Sequence, residues 1–106
     1  MDIIKKHTLF IGLNDKDSKL QEITTLDAYK LINRVIIGVG YDGCTISESM
    51  GMFKHESGEV VFEKSLRIEI LYADDKKTLD AIKQLKTLLN QESIGLQVEQ
   101  VTSQFI

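Results

Sequence analysis

The sequence predicts an α+β domain in which two helices cover one face of a four-stranded antiparallel sheet. Three observations carry this expectation. Residues Asp42 to Asp75 alternate between apolar and polar in two runs around a central turn, as a long β-hairpin does. On either side of that hairpin lies a stretch with apolar residues at helical spacing. Short runs of strand formers, TLFIGL and IGLQV, stand outside those two stretches. A chain of 106 residues suits a single core, so residues 1–106 are read as one domain.

The elements follow in order. Thr8 (or His7) to Leu13 is the first strand. The polar segment Asn14 to Gln21 is an exposed loop. Thr24 or Thr25 then caps a first helix, with Asp27 facing the positive end of the helix dipole. Leu26, Tyr29, Ile32 (or Leu31), Val35 and Ile36 form its apolar stripe, and it runs to about Ile37. Gly38 and Gly40 stop it, and Gly43 permits the turn into the hairpin.

Within the hairpin the even positions are the apolar ones: Cys44, Ile46, Met50 and Met52, then Val60, Phe62, Leu66, Ile68, Ile70 and Tyr72. That face should meet the helices, with Met50 and Met52 as core beneath them. Matching apolar faces sets Ile46 opposite Ile68 and Met52 opposite Phe62. The turn is then a three-residue loop of Glu56, Ser57 and Gly58, with glycine in the left-handed last position. Asp74 or Asp75 caps a second helix, whose buried stripe is Leu79, Ile82, Leu85 and Leu88 or Leu89. Asn90 ends it, and Ile94, Leu96 and Val98 make a last strand. The order β-α-β-β-α-β is the split βαβ of the ferredoxin-like fold. Its second sheet face, with Thr45, Ser47, Ser49, Ser65, Arg67 and Glu69 beside Phe53, Val61 and Leu71, is left open and is expected to pack against other subunits.

Composition narrows the function classes. A net charge of −3 gives no electrostatic footprint for nucleic acid. With 42% apolar residues and no run near the roughly 20 that a membrane span requires, the chain reads as a cytoplasmic protein without membrane contact. A single cysteine, Cys44, excludes an internal disulfide and a two-cysteine metal cage, and reads as a small hydrophobe in a strand. His7 and His55 lack metal-ligand spacing, with or without Cys44 and Asp42. Glu48 and Lys64, on the apolar parity, could form a charged pair in a cleft; the plainer reading is that both reach water near an edge, Lys64 by snorkelling. No nucleophile–base arrangement can be assembled, so the protein is read as a non-enzyme.

The hairpin also carries a family resemblance. The run Gly43-Cys44-Thr45-Ile46-Ser47-Glu48-Ser49-Met50-Gly51-Met52 resembles the second strand of PII signal-transduction proteins, with its Gly-x-Thr-Val-x-Glu-x-x-Gly-Phe run. Ser65-Leu66-Arg67-Ile68-Glu69-Ile70, followed by Asp74-Asp75, is similar to the PII third strand and its acidic helix cap. The resemblance implies a PII-like homotrimer with sheets facing inward and small ligands bound between subunits. Gly51, Met52, Phe53, Lys54 and His55 match the start of the family's ligand loop, and Arg67 lies on the inward face, so these six are the implied ligand-binding residues.

The chain departs from that pattern in three places. The long T-loop is reduced to the turn at Glu56–Gly58; Phe53 stands where a glycine lets phosphate approach; and Gln91-Glu92-Ser93-Ile94-Gly95-Leu96 replaces the Gly-Asp-Gly-Lys phosphate loop. These departures count against adenine-nucleotide binding of the PII kind and leave the cofactor unassigned. The added loop Asn14–Gln21 is a candidate contact surface. Two functions follow: a non-enzymatic regulatory trimer that binds a small effector, or a stand-alone interaction module, an inhibitor or adaptor, with no small ligand.

Overall fold

The computed structural model describes residues 1–54 and 56–106, and of Phe53 the backbone alone. The elements are β1 (Asp2–Gly12), α1 (Thr25–Gly38), β2 (Thr45–Lys54), β3 (Val60–Ile70), α2 (Asp75–Leu88) and β4 (Gly95–Ser103). They form one antiparallel sheet in the order β2-β3-β1-β4, with both helices on one face. The fold is the expected ferredoxin-like α+β arrangement.

The hairpin register is the one that the alternation predicts. Ile46 opposes Ile68, Met52 opposes Phe62, and the last described pair is Lys54 with Val60. Gly58 takes φ +90°, the left-handed conformation that a side chain would resist.

Both caps form as side-chain acceptors for orphan helix donors. Thr24, not Thr25, accepts from the Asp27 N–H, and Asp74, not Asp75, accepts from the Lys77 N–H. The core lies between sheet and helices, with Leu9, Ile11, Leu66, Ile68 and Ile70 beneath Ala28, Ile32, Ile36, Ala81 and Leu85. Among the described residues, no helix is long and apolar enough to cross a membrane.

Four expectations change. First, β1 begins at Asp2, not Thr8, because β4 continues beside it as far as the pair Asp2–Ser103. Its two lysines are tolerated in a strand because each meets a carboxylate: Lys5 reaches Asp75 at 3.0 Å and Lys6 reaches Glu69 at 2.8 Å.

Second, Met50 and Met52 are not core. They are 62% and 66% exposed, as is Phe62 at 63%. β1 stops pairing with β3 at Gly12–Ser65, so the hairpin beyond is a two-stranded arm that overruns the helices. The arm lengthens the molecule to 49 × 26 × 23 Å.

Third, α2 is turned by about one residue from the expected stripe. Thr78, Ala81, Leu85 and Leu89 are buried, Ile82 is half-buried, and Leu79 and Leu88 are exposed. A hydroxyl takes the inward position because it has hydrogen-bond partners there. In α1, Leu26 is likewise exposed while Ala28 takes the core position. Fourth, β3 ends at Ile70; Tyr72 adopts φ 52° in the turn that follows.

Candidate ligand-binding groove

β1 ends at Gly12 while β3 runs on below it toward the arm, and β4 begins only at Gly95. The corner left by these strand ends is filled by two loops, the segment 14–21 and the turn after α2. The first loop is folded, not loose. Asn14 and Gln21 pair across its base. Asp15 Oδ1 accepts from the N–H groups of Asp17 and Ser18, an aspartate turn that closes the loop on itself.

The two loops are tied together. Asn90 Nδ2 donates to Asp15 Oδ2 at 2.9 Å and to Asp17 Oδ2 at 2.8 Å. The Lys16 N–H donates to the Asn90 carbonyl, and Gln91 Nε2 donates to the Asn14 carbonyl. The Asn90 amide, then the Ser18 and Asp17 N–H groups, hold the Asp15 carboxyl below its ordinary range.

Between these loops and the base of the arm lies a groove of about 650 Å³, within the range of small-molecule sites. Gly12, Val61 and Glu63 form its floor, Glu59 its arm side, and Asn14, Asp15, Lys16, Lys19, Gln91, Glu92 and Ser93 its loop side. Glu63 belongs to the sheet face opposite the helices, opposite Gly51 in β2. Its carboxylate lies over Gly12, where an added Cβ would come within 2.6 Å of Cδ and Oε1. Glu63 Oε2 accepts from the Asn14 N–H at 2.9 Å.

The six expected ligand residues divide between two faces. Gly51 and Arg67 lie on the open side with Glu63; Met52 and Lys54 point to the helix side of the arm and are exposed. The Phe53 side chain and all of His55 lie outside the described residues. None of Gly51, Met52, Lys54 and Arg67 lines the groove, although Gly51 pairs with Glu63. Arg67 sits mid-sheet, its guanidinium 5.9 Å from the Phe10 ring centre and 3.6 Å from Glu69. Lys6, and more weakly Arg67, hold the Glu69 carboxyl below its ordinary range.

Gly12, Asn14 and Glu63 escape a reading by motif. Only the glycine at the end of an apolar strand hints at close approach. The segment Gln91–Ser93, which replaces a phosphate loop, does reach the groove, as does the added loop 14–21. Glu48 and Lys64 do not form a pair. Glu48 accepts from Tyr29 at 2.9 Å, and Lys64 Nζ donates to Thr25 Oγ1 at 3.3 Å, so each ties the hairpin to α1. Cys44 is half-buried just ahead of β2, and that burial pushes its thiol up, away from the reactive thiolate. His7 is buried against α2, hydrogen-bonded to Thr78 and Asp75.

A family model described as "Protein of unknown function (DUF3574)" matches residues 6–105. No curated protein matches the chain. Among solved structures, a phage SAM lyase in complex with S-methyl-5′-thioadenosine is similar, with TM-score 0.70 and 22% identity over 91% of this chain and 80% of that one. The GlnK–ATP complex of B. subtilis gives TM-score 0.57 and 14% identity over 92% and 84%. A NIF3-related protein of Bacillus cereus gives TM-score 0.59 and 14% identity over 97% of this chain and 27% of that one. The fold is therefore one that this chain shares with the phage SAM lyase and GlnK.

Proposed function

The chain belongs to the DUF3574 family, and from that premise we propose that it is a small-molecule-binding, non-enzymatic PII-like protein that holds an adenosine-type ligand in the groove beside Glu63. The observation that carries the reading is the groove itself. It has the volume for a nucleoside; the two loops on its loop side are joined by side-chain hydrogen bonds and tied to the floor by the Asn14 N–H on Glu63, so that side is preformed. Two proteins of similar fold are complexes with adenine compounds, S-methyl-5′-thioadenosine in the phage SAM lyase and ATP in GlnK.

In this reading the protein is a cytoplasmic homotrimer associated through its open sheet face. That face combines Phe10, Arg67, the Lys6–Glu69 ion pair and the hydrogen-bonded Ser49–Ser65 pair, a mix suited to an interface with a polar share. Of the residues expected to bind ligand, Gly51 and Arg67 share that open face and would then lie at the subunit boundary.

A thermal-shift panel of adenosine, S-methyl-5′-thioadenosine, S-adenosylmethionine, ATP and cyclic nucleotides tests the ligand class. A rise of several degrees with one adenosine compound supports the reading by mass action on the native state. Silence across the panel sinks it in favour of the stand-alone inhibitor or adaptor. Chromatography of the bound ligand after incubation tests the non-enzymatic part, which fails if the ligand is converted. Light scattering tests the assembly, and a monomer at micromolar concentration would exclude the trimer.

A further inference from the structure

We infer that Glu63 is the specificity-determining residue of the groove, its carboxylate accepting hydrogen bonds from the vicinal hydroxyls of a ribose; this rests on the reading of the groove as a nucleoside site. The inference starts from how the carboxylate is held. Glu63 lies in the part of β3 that has outrun β1, so its side chain can fold back over the end of that strand. It can do so because residue 12 is glycine: any Cβ there would occupy the space of Cδ and both carboxylate oxygens. The Asn14 N–H then fixes one oxygen, Oε2, at 2.9 Å. Among the described residues no donor reaches the other oxygen, Oε1. The result is an oriented carboxylate on the floor of the groove, with acceptor capacity to spare.

An ionised carboxylate only accepts hydrogen bonds, so the ligand group that meets it must donate. A vicinal diol presents two donors side by side, as carboxylates that recognise the ribose of dinucleotides exploit. A phosphate is excluded from the same place, since it is itself an anionic acceptor. The surroundings reinforce this: Asp15, Glu59 and Glu92 also line the groove, against Lys16 and Lys19. Lys19 Nζ is already engaged by the Lys16 carbonyl at 2.6 Å. The preferred ligand is thus a nucleoside whose 5′ substituent is neutral or cationic, not a polyphosphate.

The test compares adenosine with 2′,3′-dideoxyadenosine by calorimetry on the full chain, for the wild type, Glu63→Gln and Gly12→Ala. The wild type should bind adenosine about tenfold or more tightly than the dideoxy compound, the scale of one charge-assisted hydrogen bond. Glu63→Gln should remove most of that preference. Gly12→Ala should do the same through a different atom, because its methyl group displaces the flexible end of Glu63 from the Asn14 N–H. A wild-type preference that persists in both variants overturns the role of Glu63 and leaves the nucleoside reading standing. A wild type that binds neither compound overturns both. Tighter binding of ATP than of adenosine, undiminished in Glu63→Gln, overturns the exclusion of phosphate and the role of Glu63 with it.

Discussion

His7 Nδ1 lies 2.6 Å from Thr78 Oγ1, and both side chains are buried. This contact explains why α2 turns a threonine inward and leaves two leucines outside. Tyr41 OH stands 2.7 Å from the same hydroxyl, and the Asp74 N–H donates to the tyrosine oxygen. On the far side of the ring, Nε2 meets Asp75 Oδ1 at 3.1 Å. With the proton on Nε2, that nitrogen donates to Asp75 and Thr78 donates to Nδ1, while the Tyr41 hydroxyl donates to the Asp74 carbonyl at 2.9 Å. A chain of hydrogen bonds thus joins the α1–β2 turn, α2 and β1, and it sets the rotation of α2 on the sheet.

Thr78→Val keeps the shape of that side chain and removes its hydroxyl. Nδ1 of His7 then loses its partner in a dry site, while Tyr41 keeps the Asp74 carbonyl, and the loss costs about 1–3 kcal/mol. Urea unfolding should show the loss as a lower midpoint with an unchanged slope. A variant as stable as the wild type would mean that the network contributes nothing net.

The arm predicts a sharp contrast between two apolar residues on one face of the hairpin. Ile68→Ala, in the core, should cost about 2–5 kcal/mol. Met52→Ala, on the exposed arm, should stay within about 0.5 kcal/mol in the isolated chain. Chemical denaturation under conditions where the protein is monomeric makes the comparison. A Met52→Ala loss in the core range would mean that the arm folds back on the helices.

Gly58→Ala places a Cβ on a residue at φ +90°, although nothing crowds it in space. The cost is therefore conformational, about 1 kcal/mol. Gly38→Ala, in the helix and with open space around it, should be neutral or stabilising. Thermal unfolding of the two variants should move in opposite directions or leave only the first displaced.

Acid should weaken the fold through two ion pairs. Lys5, chiefly by its hydrogen bond, holds Asp75 below its ordinary 3.8, and Lys6 does the same for Glu69 below its ordinary 4.5. A carboxyl with a lowered folded-state pKa binds protons more weakly when folded. Its contribution is complete above the unfolded value and is lost as pH falls through the folded one. Stability should be level from about pH 7 to 5 and decline below 4.5. In Lys6→Met the decline should be shallower, read from unfolding midpoints across that range.

The parts of the fold legible in the sequence are those set by local pattern. The hairpin register follows from strict alternation over two long strands and one glycine, and the caps follow from Thr24 and Asp74. The rotation of α2 was hidden because side-chain size favours Leu79, whereas the deciding interaction is between Thr78 and a histidine 71 residues away. The length of the arm was hidden for a related reason. Alternation says which face a residue is on, not whether a helix reaches that far. The groove escapes local reading altogether, since Glu63 meets a backbone N–H 49 positions earlier and passes over a glycine that no motif flags. What the sequence does mark is the replaced phosphate loop, and Gln91 to Ser93 lie at the groove.

The end of β1 at Gly12 frees the hairpin beyond Ser65 from every strand but its own partner. Its reach is therefore a modular dimension of the molecule. Removing or adding two residues on each strand would keep inward and outward faces in step and leave the core untouched. Homologues can accordingly lengthen or trim this arm, and with it the overhang beside the groove, without renegotiating the rest of the domain.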